Sequence, residues 1–184
     1  MYRNVDITRV GSQRTGATNA ARALGPGAGA IVLIGDFAKG ALAVWLAHQT
    51  VGAPAALALA GFFSVVGHIW SVFLRGRGGR GVVTGLGALA VASPGMFAIA
   101  FVTGCIVAGT SRYVSLGSIC GAAITPLAGI AAYTLGYLPT EFLPYVIATP
   151  LLIIAMHADN IQRLRARTER RWGQPSRPSP SEAT

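Results

Sequence analysis

Apolar residues run through the chain in long blocks separated by short polar connections. The blocks lie at about 27–47, 54–74, 82–92, 95–110, 117–135 and 142–156. A membrane-crossing helix needs about 20 apolar residues, because the bilayer core is about 30 Å thick and each residue rises 1.5 Å. The fourth and sixth blocks are slightly short, and 82–92 is too short to cross alone. It is either a half-helix or one limb of a bent helix that continues through Ser93-Pro94. Pro94, Pro126 and Pro150 do not argue against helices, since membrane helices tolerate proline and glycine. The pattern predicts an all-α, polytopic membrane helix bundle of about six segments, one of them short.

The arginines predict its sidedness. Arg3, Arg9, Arg14 and Arg22 precede the first block, and Arg75, Arg77 and Arg80 follow the second. Arg112 follows the fourth, and Arg163, Arg165, Arg167, Arg170, Arg171 and Arg177 follow the last. The alternate connections, at about 48–53, 93–94 and 136–141, hold no Lys or Arg. Cytoplasmic connections collect these residues, so six crossings put both termini in the cytoplasm. Counting 82–92 as its own segment is what keeps Arg112 on the same side as the rest. The opening MYRNVDITR lacks the apolar core of a signal peptide. Residues 174–184 are Pro/Ser-rich and predicted disordered, which leaves 1–173 as one membrane domain.

Composition narrows the class further. Of 184 residues, 52% are hydrophobic and 11% charged. A soluble domain carries about 25% charged residues, so there are too few to cover a water-facing surface. The apolar content excludes disorder. Two cysteines cannot make a disulfide scaffold; Cys105 and Cys120 lie in apolar blocks and are expected to be buried packing thiols. The net charge of +9 points to anionic lipid or an anionic substrate. Nucleic acid fits poorly, because the Gly/Arg run Arg75–Gly81 is a seven-residue connection between membrane segments.

Several polar residues stand where apolar ones are expected. Asp36 and Lys39 lie mid-segment, three apart on one helical face, as a structural ion pair or a functional one. His68 lies late in the second segment. His157, Asn160 and Arg163 recur at helical spacing, so one face carries His, Asn and Arg. In Arg75–Gly81, glycine backbone N–H groups, arginine forks and the start of a helix together suit a phosphate. No GxxxxGK[ST] nucleotide loop is present, and the histidines lack metal-binding spacing. Gly11–Arg22 is dense in hydroxyls and amides, and Ser115 and Ser118 follow Arg112 at a spacing that lets them face one surface. All four clusters fall on the Arg-bearing side. A site for a phosphorylated ligand with one end in lipid is expected there.

These motifs resemble, in order and spacing over about 6–171, the bacterial acyl-phosphate:glycerol-3-phosphate acyltransferases, the PlsY family. The first motif is Asp6-Ile7, Gly11-Ser12, Gly16-Ala-Thr-Asn19 and Arg22. Asp36 with Lys39-Gly40 resembles the family's charged pair. Gly67-His68, Phe73 and Gly78-Gly-Arg-Gly81 form the second motif, Arg112 with Ser115-Leu-Gly-Ser118 the third, and His157, Asn160-Ile, Arg163-Leu and Thr168-Glu169 the last. The resemblance implies acyl transfer from an acyl phosphate to the sn-1 hydroxyl of glycerol 3-phosphate, the first step of phospholipid synthesis. It implies a multi-pass enzyme of the bacterial inner membrane whose site faces the cytoplasm, with a functional link to the acyl-phosphate-forming enzyme. The donor is an activated mixed anhydride, so no cofactor or metal is expected.

Carried over by position, Ser12, Asn19, Arg22, Gly78, Gly79, Arg80, Gly81, Ser115 and Ser118 are expected to bind substrate phosphate. His157 and Asn160 orient glycerol 3-phosphate; with Ser12 and Arg80 they form the expected catalytic set. Asp36, Lys39, His68, Arg112 and Arg163 support it. The proton of the attacking hydroxyl goes either to His157 or to the donor phosphate. Arg14 replaces a family Asn, Arg80 replaces a family Lys, and a membrane helix that precedes the first motif in the family is not expected here. The rival readings are an acyl-CoA-dependent enzyme, an anion transporter and an inactive relative. No HxxxxD pair supports the first, and no inverted repeat supports the second.

Overall fold

The computed structural model describes residues 7–173. Asp6, Arg3, Arg177 and the expected tail 174–184 lie outside them. The described chain folds into eight helices: α1 (Ala17–Leu24), α2 (Pro26–Thr50), α3 (Pro54–Ile69), α4 (Val82–Ala92), α5 (Pro94–Ser111), α6 (Val114–Thr134), α7 (Leu143–Ala155) and α8 (Ala158–Arg165). Short 3₁₀ turns at Val72–Leu74 and Thr140–Phe142 extend α3 and precede α7. Proline starts α2, α3 and α5 at positions where its missing N–H has no intrahelical partner to lose.

Four of these helices, counting α3 with its 3₁₀ extension, are long and apolar enough to cross a membrane: α2, α3, α5 and α6. A fifth span runs from Thr140 through α7 and breaks by 56° before α8. The 82–92 segment is a separate 11-residue helix, about 16 Å long at 1.5 Å per residue. It therefore reaches only part-way, and Ser93 with Pro94 turns the chain back into α5. Both outer ends of the α4–α5 pair lie at the arginine-bearing end. Arg80 meets Asp159 there, and the Arg112 carbonyl accepts the Trp172 N–H. The arginines thus share one end without six full crossings.

The bundle buries little and shows its apolar residues outward. Ile31, Ile34 and Leu127 are 74%, 65% and 66% exposed, as expected where the solvent is lipid tails. Cys105 departs from its expected burial: it is exposed on α5, and Cys120 is half-buried. The interior is built on Val44, Leu89, Phe142, Tyr145 and Val146, with a smaller cluster around Val65, Ile69 and Ile153. Helices approach through glycine. A Cβ on Gly40 of α2 would overlap the Thr84 carbonyl of α4, and one on Gly87 of α4 would overlap the Phe37 carbonyl of α2. Backbone touches backbone at this crossing, so α4 is fixed against α2 with no side chain to yield.

Candidate active site

The polar site is a cavity of about 250 Å³ at the arginine-bearing end, enclosed by the loop before α1, α1, α2, α3, the start of α4, the start of α6 and α8. It gathers Ser12, Asn19, Arg22, Asp36, His68, Arg80, Gly81, Ser115, Ser118, His157, Asn160 and Arg163. Ser12 and Arg163 come from opposite ends of the chain: α1 folds back on α2 at Gly25, whose φ is +98°, and Arg163 is presented by α8 after the 56° bend that ends α7.

The loop before α1 is organised by one side chain. The Asn19 Oδ1 accepts the Ser12 N–H at 3.0 Å, and its Nδ2 lies 3.0 Å from the carbonyls of Ile7, Val10 and Arg14. Asn19 lines the cavity, and in this arrangement its amide ties the loop together and positions Ser12. The glycine loop divides likewise. Gly81 lines the cavity with φ +84°, whereas Gly78 and Gly79 pack behind it. Gly78 donates its N–H to Ile69, and a Cβ on Gly79 would overlap the His68 imidazole. These two glycines let the loop close onto His68 and stand behind the cavity wall.

His68 joins a charged cluster. Lys39 Nζ bonds Asp36 at 2.6 Å and lies 2.5 Å from His68 Nδ1. The expected Asp36–Lys39 pair forms, with His68 as a third member 29 residues away. Asp36 and His68 line the cavity and Lys39 does not. Arg112 lies outside the cavity; it is exposed at the C-cap of α5, with φ +63°.

The opposite wall is a network around two carboxylates. Arg80 donates from Nη2 to Asp159 at 2.7 Å and from Nε to the Met156 carbonyl at 3.2 Å. Arg163 bridges Asp159 at 3.0 Å and Glu169 at 2.7 Å. Glu169 also accepts from Ser115 at 2.9 Å and from Asn160 Nδ2 at 2.8 Å. Burial opposes both charges, but Arg163 beside both, with Arg80 beside Asp159, holds each carboxyl below its ordinary value. Both therefore stay ionised at neutral pH. Glu169 stands in the last motif but is missing from the site residues expected there. Its signal was a lone carboxylate among arginines in a chain with six acidic residues.

What remains unsatisfied defines the chemistry. Five arginines and two carboxylates line the cavity. Burial and Arg170 pull the Arg22 guanidinium down, and burial with Arg14 and Arg163 does the same to Arg80 despite Asp159. Arginine stays charged regardless, so the cavity holds excess positive charge that an anion would relieve. Asn160 Oδ1 is buried without a hydrogen-bond partner among the described residues. His157 pairs its Nδ1 with the Ile153 carbonyl at 2.7 Å, which makes Nδ1 the donor and leaves Nε2 as an acceptor. Burial, reinforced by Arg80, pushes this imidazole from 6.5 down to about 4. Two neutral acceptors, Asn160 Oδ1 and His157 Nε2, therefore stand beside a cluster of arginines. That pairing suits a ligand with both hydroxyl and phosphate.

A second, apolar cavity of about 190 Å³ lies between α4, α5, α6 and α7. It shares Val82, Val114 and Ser118 with the polar one. Ser118 donates its hydroxyl to Val114 at 3.0 Å, so at this junction it offers an acceptor and no free proton.

A sequence model of the glycerol-3-phosphate acyltransferase family matches residues 1–167. The chain belongs to this family. The glycerol-3-phosphate acyltransferase of Carboxydothermus hydrogenoformans is 43% identical over 170 residues, covering 92% of this chain and 84% of that one. The fold is similar to crystal structures of PlsY, an integral membrane glycerol 3-phosphate acyltransferase. Its glycerol 3-phosphate form has a TM-score of 0.84 and 37% identity, covering 92% of this chain and 84% of that one. Its lysophosphatidic acid form has a TM-score of 0.79 and 36% identity, covering 88% and 81%. Like these acyltransferases, the chain is a multi-pass membrane protein.

Proposed function

We propose that the chain transfers an acyl group from an acyl phosphate to the sn-1 hydroxyl of glycerol 3-phosphate, releasing lysophosphatidic acid and inorganic phosphate. The observation that carries this reading is the adjacency of two cavities, one arginine-lined and one apolar, with Val82, Val114 and Ser118 lining both. Arg22, Arg80, Ser12 and the Gly81 backbone receive the phosphates in the polar cavity, and Ser115 joins them when its hydroxyl turns from Glu169 to the ligand. The acyl chain lies in the apolar groove. Family relatives solved with glycerol 3-phosphate and with lysophosphatidic acid support the acceptor and the product.

The step needs no protein nucleophile. The glycerol hydroxyl oxygen attacks the acyl carbonyl carbon, the bond from that carbon to the phosphate oxygen breaks, and the hydroxyl proton passes to the departing phosphate. What the protein supplies is orientation and charge stabilisation. Asn160 Oδ1 and His157 Nε2 accept from the glycerol hydroxyls, and Arg80 neutralises the leaving phosphate. Glycerol 3-phosphate and the donor are supplied from the cytoplasm, which the arginine-bearing end faces. The bilayer is the bacterial inner membrane, and the enzyme that makes acyl phosphate is the functional partner.

The test is purified protein in detergent with palmitoyl phosphate and glycerol 3-phosphate. Equal amounts of phosphate and lysophosphatidic acid are expected, with none from palmitoyl-CoA. No product from palmitoyl phosphate overturns the reading.

A prediction separates His157 as hydrogen-bond acceptor from His157 as base. The unfolded imidazole takes a proton below about 6.5 and the folded one only near 4. Stability from neutral His157 is therefore complete above 6.5 and is lost as pH falls toward 4. His157→Gln keeps an acceptor, so kcat/KM is expected to fall about tenfold, the scale of one hydrogen bond to a neutral group. The neutral-pH profile should stay flat in both proteins. A loss of more than about a hundredfold in kcat, the range of general base catalysis, would make His157 the base.

A further inference from the structure

The apolar groove contains two buried hydroxyls that an ordinary acyl chain cannot satisfy, those of Tyr145 and Thr149. Thr149 is the one whose hydroxyl can be removed with side-chain size nearly unchanged. Thr149 lines it, is 4% exposed, and its Oγ1 has no hydrogen-bond partner among the described residues. Three other helical threonines turn the hydroxyl back to the carbonyl four residues earlier: Thr50 to Leu46, Thr110 to Ile106 and Thr125 to Gly121, each within 2.9 Å. Thr149 makes no such bond, and Thr84 in α4, outside the groove lining, is unpaired like it among the described residues. Two prolines add to the local polarity. Pro150 inside α7 and Pro126 inside α6 lack the N–H groups that would pair the carbonyls of Val146 and Ala122, and both of those residues line the groove. An unpaired buried hydroxyl is unfavourable, and lipid tails cannot pair it.

Resting on the acyl-phosphate reading above, we propose that the groove takes acyl chains carrying a hydrogen-bonding oxygen part-way along, a hydroxyacyl group, and that Thr149 sets this specificity. The depth agrees. Eight residues of chain separate His157 in the polar cavity from Thr149, about 12 Å along helical structure, which places the oxygen well along the chain from the reacting carbonyl. The hydroxyl on such a chain pairs with Thr149 Oγ1 as donor or acceptor.

The experiment compares stearoyl phosphate with 10-hydroxystearoyl phosphate, equal in chain length, at saturating glycerol 3-phosphate. Wild type is expected to favour the hydroxylated donor in kcat/KM by about fivefold, the ratio of one net hydrogen bond. Thr149→Val, which replaces the hydroxyl by a methyl of similar size, should abolish the preference. Thr149→Ser, which keeps the hydroxyl, should retain it and guards against a packing artefact. Equal use of both donors by wild type, as when a buried water satisfies Thr149 with either, overturns the proposal. So does a preference that survives in Thr149→Val or disappears in Thr149→Ser. Turnover of both donors without discrimination leaves the acyltransferase reading intact, whereas turnover of neither sinks both.

Discussion

Replacing Arg80 with Gln is expected to lower kcat/KM for palmitoyl phosphate about a thousandfold, the upper range for removing one preorganised donor at developing charge. Arg80 is the cavity arginine best held for that task. It leaves the glycine loop one residue before Gly81, and α8 grips it from the other side through Asp159 and the Met156 carbonyl. Its position is therefore fixed before substrate binds, so little reorganisation is needed at the reacting phosphate. The loss should fall mainly on kcat, because Arg22, Arg14, Arg163 and Arg170 still line the cavity and attract anions. The fold should survive, since Arg163 continues to pair Asp159 at 3.0 Å. Arg80→Lys is the informative companion. The resemblance places Lys at this position, and an ammonium keeps the charge while losing the fork. It should retain activity within about tenfold of wild type, the scale of one neutral hydrogen bond. Steady-state kinetics on both variants check this, and near-wild-type kcat in Arg80→Gln would remove Arg80 from the chemical step.

The helices were legible because lipid imposes a coarse rule, and a block of apolar residues long enough to cross can do little else. The predicted 54–74 and 95–110 became Pro54–Leu74 and Pro94–Ser111. Even the half-length of α4 was readable, since 11 residues cannot cross and arginine lies at both outer ends of the α4–α5 pair. Helix α1 was not legible. Ala17, Ala20, Ala21 and Leu24 recur at helical spacing, but eight residues mostly of alanine are too short a stripe to stand out. The helix is held by packing on α2, where a Cβ on Gly29 would meet Ala21.

The site was legible as a set of residues but not as a division of labour. Spacing alone put Asp36 beside Lys39 on one helix turn, whereas His68 reaches them only through the packing of α3. Asn19 and Gly81 look alike as motif members. The structure turns Asn19 inward to three carbonyls and leaves Gly81 at the cavity wall. Glu169 meets Ser115 across 54 residues, a contact that no local pattern encodes. Local periodicity predicts which residues share a face; tertiary packing decides which of their polar atoms remain free for a ligand.

Gly40→Leu is expected to be among the most damaging single changes outside the cavity, and Gly35→Leu on the same helix nearly silent. A Cβ at Gly40 meets the backbone carbonyl of Thr84, with the Ala88 nitrogen 3.1 Å away. Backbone cannot change rotamer, so relief requires α4 to separate from α2. Overpacking usually destabilises by about 1–3 kcal/mol, and this site lies at or beyond the top of that range because nothing flexible can yield. Gly35 has nothing within 4 Å of its Cβ position and is exposed, so a leucine there projects into lipid. The consequence reaches the site because α4 begins at Val82, two residues after Arg80. Any shift of α4 carries Arg80 and Gly81 away from Asp159 and the Asp36–His68 wall. Thermal unfolding in detergent should show a large loss for Gly40→Leu and little change for Gly35→Leu. Whatever Gly40→Leu protein remains folded should lose kcat more than it gains KM, since the anion-attracting arginines persist while the one nearest the chemistry is displaced. Equal stability of the two variants would mean that α2 and α4 are not in backbone contact, and the placement of Arg80 by that crossing would fail with it.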